Sequence, residues 1–136
     1  MGDLAFEGGC LCGAIRYRVS GQPLASGICH CRTCRRSSAA PMLPFVTFPF
    51  DRFEFARGKP VDFHSSPPVT RSFCGRCGTP LTYRHQEHAD QIDVMTCSLD
   101  NPEVLAPSYH IWVSHKLTWV QLREGFPAYD TIRSAG

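Results

Sequence analysis

The sequence contains no long apolar run. A bilayer-spanning helix needs about 18 consecutive apolar residues, and the most apolar window, "AAPMLPFV", is short and broken by Pro41 and Pro44. A membrane partner is therefore not expected. The N-terminal "MGDLAFEGG" has neither the basic segment nor the apolar core of an export signal, so a reducing, cytoplasmic setting is expected. Net charge is small too: 14 basic and 12 acidic residues leave +2. So slight an excess gives no reason to expect nucleic acid. Internal repeats, low-complexity tracts and linker-like stretches are missing, and 136 residues fit a single domain assigned to 1–136. Helical periodicity is scarce. Only 31–38 reads as a helix, and a very short one.

What the chain does have is β pattern and turn residues. Residues 13–19, "GAIRYRV", alternate, with Ile15, Tyr17 and Val19 on one face and Ala14, Arg16 and Arg18 on the other. Further strands are expected at 43–48, 52–56, 61–65, 70–74, 80–84, 91–98 and 109–113, separated by Gly, Pro, Asp or Asn. "SSPP" at 65–68 reads as a rigid turn, because each proline fixes its own φ and restricts its predecessor. The fold class expected is mostly β, with antiparallel sheets and one very short helix.

Cysteine is the other abundant feature. Seven of the eight cysteines fall into three groups: Cys10-x-Cys12, Cys29-x-Cys31-x-x-Cys34 and Cys74-x-x-Cys77. In a reducing compartment such clusters point to metal ligation or thiol chemistry before disulfides. In an extended C-x-C both thiolates can project to one side. In "CGRCG", Gly75 and Gly78 allow a turn that wraps a metal and aims N–H groups at sulfur. Cys10, Cys12, Cys74 and Cys77 thus make one complete four-cysteine site, best matched by structural zinc. An iron–sulfur cluster or plain buried thiols are the alternatives.

Cys29, Cys31 and Cys34 remain, three ligands with no obvious fourth. That is the pattern of an open zinc site completed by water or substrate. Alternatively His30, His64, His110 or Cys97 closes it. His30 lies between two ligands on one strand and should point away, while Cys97 sits in "DVMTCSLD", the setting of a buried thiol. A redox role for the three thiols is a further alternative.

Taken together, "GGCLCGAIRY", "CHCRTCRR", "FCGRCGTPL", "SLDNPE", "HIWVSHKLTW" and "GFPAYD" resemble the glutathione-dependent formaldehyde-activating enzyme family, which includes centromere protein V. The resemblance runs from about residue 8 to residue 130. It implies a β-tent fold stapled by zinc, two zinc ions per chain, structural zinc at Cys10, Cys12, Cys74 and Cys77, and catalytic zinc at Cys29, Cys31 and Cys34. It also implies a carbon–sulfur lyase that joins formaldehyde and glutathione reversibly as S-hydroxymethylglutathione. The alternative within the same fold is a non-catalytic zinc-binding scaffold. Glutathione carries two carboxylates, so a cationic rim should help hold it. Arg32, Arg35 and Arg36 beside the second cluster, and Arg71 near Cys74, are the candidates. No convincing general base stands out; His110 and His115 are candidates, though "HIWV" equally suits a histidine in a packing role.

Overall fold

The computed structural model describes residues 4–133, so the outermost residues of the expected domain lie outside it. Ten strands and one helix follow in order: β1 (Ala5–Gly9), β2 (Arg16–Ser20), β3 (Ala25–Cys29), α1 (Arg32–Ser38), β4 (Leu43–Pro49), β5 (Phe53–Arg57), β6 (Val61–Ser66), β7 (Val69–Phe73), β8 (Pro80–His85), β9 (Gln91–Met95) and β10 (His110–Ile111). The class is mostly β, as expected. β1 and β3 carry no strand signal of their own, since "AFEGG" and "ASGIC" are glycine-rich and poor in β-branched residues. Pairing to β2 and β4 supplies what local preference does not.

Two sheets result. β1-β2-β5 form a three-stranded antiparallel sheet, and β10-β3-β4-β9-β8-β7-β6 form a seven-stranded one. The larger sheet is not wholly antiparallel: β10 runs parallel to β3, pairing His110 with Ile28 and Ile111 with Cys29. A parallel neighbour needs a long crossover, and the chain between Met95 and His110 provides one.

Two expected strands are shorter in the structure. The segment 91–98 stops at Met95 and becomes a 3-10 turn, Thr96–Ser98, locked by Ser98 Oγ donating to Met95 O at 2.7 Å. Cys97 rides on that turn and is exposed, not a buried strand thiol. The segment 109–113 narrows to His110–Ile111 because Trp112 takes a left-handed φ of 57° and starts another 3-10 turn.

The alternation in β2 decides how the sheets pack. Ile15, Tyr17 and Val19 are fully buried against Val46, Phe48, Leu81, Ile92 and Val94 of the large sheet. Each large apolar side chain so buried contributes about 1.5–3 kcal/mol. At Gly8 an added Cβ would collide with the Tyr17 hydroxyl and the Ser98 carbonyl. Gly8→Ala is accordingly expected to destabilise by about 1–3 kcal/mol, read as a lower urea midpoint with an unchanged slope. The opposite face of the large sheet carries a second cluster, built from Cys29, Cys34, Leu43, Phe45, Met95 and Tyr109. Chemistry concentrates on that face.

Candidate functional site

The first cysteine cluster lies where the two sheets meet. Cys10 and Cys12 occupy the loop between β1 and β2, and Cys74 and Cys77 the loop between β7 and β8. Their four sulfurs lie within 4.8 Å of one another, with Cys10–Cys12 at 3.6 Å and Cys12–Cys74 at 3.8 Å. A tetrahedron with ~2.3 Å metal–sulfur bonds has edges of about 3.8 Å, so the donor set fits zinc. Peptide N–H groups already point at sulfur: Ile15 N donates to Cys10 at 3.3 Å, and Arg76 N and Cys77 N donate to Cys74 at 3.3 and 3.4 Å. Gly78 makes this turn possible with φ of 82°. The Thr79 hydroxyl, 3.3 Å from Cys77 Sγ, holds that thiol down at about 5, aided by the Thr79 peptide N–H. These contacts favour the thiolate at Cys77, whereas, against the Ala14 peptide hydrogen bond, burial and the neighbouring sulfurs push Cys12 up to about 11.

The second cluster forms at the end of β3. Cys29 is the last residue of that strand, Cys31 caps α1 by accepting from Cys34 N at 3.3 Å, and Cys34 points inward from the first helical turn. The three sulfurs lie within 4.8 Å of one another, and no fourth metal-binding side chain joins them among the described residues. None of the suggested closing ligands reaches them. His30 Nε2 is instead 2.9 Å from His110 Nδ1 in a buried pair, His64 Nδ1 is taken by Val69 O and Thr70, and Cys97 is exposed. Hydrogen bonds from Cys29 and Cys34 push the Cys31 thiol far below its usual value, while the contact with Cys31 pushes Cys29 up. Of the three, Cys31 is the thiol whose ionised form its neighbours favour. The trio can hold a metal through three sulfurs, with one tetrahedral position left over.

The three sulfurs line a cavity of about 180 Å³ together with Arg71, Tyr83, Asp93 and Trp112. Sheet register explains that company. Thr47 on β4 is paired with Asp93 on β9, Asp93 with Tyr83 on β8, Tyr83 with Arg71 on β7, and Arg71 with Phe63 on β6. Cross-strand partners project from the same face, so one row delivers these side chains to the cysteine side. Arg71 is fixed by Ser65 Oγ at 3.0 Å and Ser37 Oγ at 3.2 Å, lies over the Tyr83 ring, and approaches Cys34 Sγ at 3.7 Å. Beyond it opens a groove of about 610 Å³, lined also by Arg32, Arg36 and Phe63 and sharing Leu43, Arg71 and Met95 with the cavity.

Three of the four arginines singled out in the sequence therefore face this groove. Arg35 does not: its Nε donates to His30 O at 3.3 Å, and it lines a hollow near Trp119 that Arg32 and Arg36 also border. His110 and His115 do not line the cavity either. His110 is engaged with His30, and the His115 ring lies 5.1 Å from the Trp112 ring. Tyr83 and Asp93 escaped the sequence reading, because "TYRH" and "QIDVM" look like ordinary half-exposed strands. The only sequence signal was a single acid within an otherwise apolar alternation.

The sequence profile of the glutathione-dependent formaldehyde-activating enzymes matches residues 5–115. The chain belongs to that family. Over 128 residues it is 23% identical to a Halomonas elongata protein named as a glutathione-dependent formaldehyde-activating enzyme, covering 88% of this chain and 82% of that protein. Over 81 residues it is 33% identical to an uncharacterised lyase of Schizosaccharomyces pombe, covering 59% of this chain and 58% of that protein. That match spans little more than half the length of either. A crystal structure of a Rhodobacter sphaeroides protein has the same fold, with a TM-score of 0.59 over 90% of this chain and 98% of that one, at 18% identity.

Proposed function

We propose that this protein is a zinc-dependent carbon–sulfur lyase built on a single β-tent domain, acting on a thiol–aldehyde adduct of the S-hydroxymethylglutathione type. The observation that carries the reading is the second cluster: three convergent thiols, no fourth ligand among the described residues, and a cavity at their side. Cys10, Cys12, Cys74 and Cys77 would hold a structural zinc, and Cys29, Cys31 and Cys34 a catalytic one, two per chain. A zinc held by Cys29, Cys31 and Cys34 would keep one position open, where it would favour the thiolate form of a substrate thiol and polarise an adjacent carbonyl.

The protein's own residues account for substrate binding. A groove of about 610 Å³ falls within the ~300–1,000 Å³ typical of small-ligand sites. Arg32, Arg36 and Arg71 place three cations along it for the two carboxylates of glutathione. Arg71 spans groove and cavity, so it orients the thiol end as well. We place the action in the cytoplasm, on a small thiol and not on nucleic acid or membrane. No helix among the described residues is long and apolar enough to cross a bilayer.

The test is enzyme-catalysed exchange between formaldehyde, glutathione and their adduct, followed by magnetisation-transfer NMR above the uncatalysed background. The zinc-loaded protein is expected to accelerate exchange and to lose that activity on chelation. No acceleration by protein carrying both zinc ions would contradict the reading. Arg71→Ala is expected to raise KM for glutathione about 10–100-fold, the loss of one charge-assisted hydrogen bond, while zinc content holds at two.

A further inference from the structure

The reaction proposed above moves a proton on oxygen as well as making and breaking a carbon–sulfur bond, and neither His110 nor His115 lines the cavity. Asp93 does line it, and is the sole carboxylate among the described residues that do so. Its place is set by register: it stands beside Tyr83 and Thr47 in the row that ends at Arg71. Thr47 Oγ1 donates to Asp93 Oδ1 at 2.6 Å, and no other hydrogen bond to this carboxylate occurs among the described residues. An aspartate kept in a sheet for structure normally holds a cationic partner when buried. Here the guanidinium that shares the cavity, Arg71, is engaged with Ser65, Ser37, Cys34 Sγ and the Tyr83 ring. The ion pair found among the described residues is elsewhere, between Arg16 and Asp100. Asp93 thus lines a cavity walled by three thiols, with no salt bridge among the described residues to explain it.

We infer that Asp93 is the acid–base residue of this site, exchanging the proton of the hydroxymethyl oxygen; the inference rests on the lyase reading above. In cleavage, the Asp93 carboxylate takes the proton of the adduct's O–H. The O–H bonding pair becomes the second C–O bond of the aldehyde, the C–S bond breaks, and its pair leaves with sulfur as a thiolate. The thiolate is then protonated by the Asp93 carboxyl, or by solvent. In the synthetic direction the carboxyl returns the proton to oxygen as sulfur adds to the carbonyl carbon. Atoms and electrons balance with no further reactant.

The surroundings suit this exchange. Burial pushes the Asp93 carboxyl up to about 6, against the lowering effects of the Thr47 hydrogen bond and the charges of Arg71 and His88. Both protonation states are therefore accessible near neutrality, as a general acid–base group requires. Tyr83, pushed up to about 12 by burial, stays protonated across that range, and burial raises Tyr109 as well. Cys29, Cys31 and Cys34 complete the titratable groups facing the cavity.

The experiment compares wild type, Asp93→Asn and Thr47→Val by exchange NMR from pH 5 to pH 9, with zinc content and glutathione affinity measured alongside. Asparagine keeps the acceptor for Thr47, so the variant retains that hydrogen bond. The wild-type cleavage rate is expected to rise through about pH 6 and then level. Asp93→Asn is expected to lose that limb and at least about 100-fold in kcat/KM, with zinc at two per chain and glutathione affinity unchanged. Thr47→Val removes a hydrogen bond that lowers the carboxyl, so its limb should move to higher pH. An Asp93→Asn enzyme within about twofold of wild type, or an unmoved limb, overturns the assignment of Asp93 alone. A wild-type enzyme that gives no acceleration overturns the lyase reading and this inference together.

Discussion

Cys74→Ser is expected to leave the chain unfolded at room temperature. Cys74 is fully buried, accepts two peptide N–H bonds and lies 3.8 Å from Cys12 on the β1–β2 loop. Structural zinc contributes about 10–16 kcal/mol in small metal-bound domains, against a total stability of about 5–15 kcal/mol for an ordinary domain. All eight cysteines are free thiols, so no disulfide stands in for the lost metal. The cysteine-bearing loops also tie the β1–β2 hairpin to the β7–β8 hairpin, the junction over which Tyr17, Val19 and Leu81 are buried. The measurement is far-UV circular dichroism with zinc analysis. Collapse of the β signal is expected, along with loss of both zinc ions. A folded Cys74→Ser protein carrying one zinc would contradict the structural assignment.

Cys31→Ser is expected to do the opposite: retain the fold and lose activity to the uncatalysed background. Its position explains the difference. Cys31 caps α1 through its sulfur, and serine is itself a favoured N-cap that can accept from Cys34 N. The core beneath does not depend on it, since Cys31 is only partly buried while Cys29 and Cys34 carry the packing. A shift in melting temperature of a few degrees, the scale of about 1 kcal/mol in a domain this size, is therefore expected. Zinc content should fall from two to one. If Cys31→Ser unfolds as completely as Cys74→Ser, the second cluster is structural and the open-site account fails.

Much of this arrangement could be seen in the sequence, for identifiable reasons. Metal ligands recur at spacings imposed by turns and by strand alternation, so "CLC", "CHCRTC" and "CGRC" stood out without any knowledge of the fold. Ile15, Tyr17 and Val19 alternated because only one face of β2 is buried, and "SSPP" marked the β6–β7 turn because prolines leave few alternatives. What could not be seen depends on distant pairing. Asp93 acquires its meaning from Thr47 and Tyr83 beside it in register, partners that sequence proximity does not reveal for Thr47. Arg35 and Arg36 are adjacent in the chain, yet only Arg36 lines the groove, because successive helical side chains lie about 100° apart. The His30–His110 pair joins residues eighty positions apart across the parallel β3–β10 contact, which no local pattern announces.

The central claim is that one metal centre is complete and the other open. X-ray absorption at the zinc edge tests it directly. Protein with two zinc ions and no added thiol should show about 3.5 sulfurs per zinc, the mean of a four-cysteine and a three-cysteine site. The deficit should be made up by a light oxygen or nitrogen scatterer. Adding glutathione should raise the value to about 4 as its sulfur takes the remaining position. Four sulfurs per zinc before any thiol is added, or a value that glutathione leaves unchanged, would contradict the account.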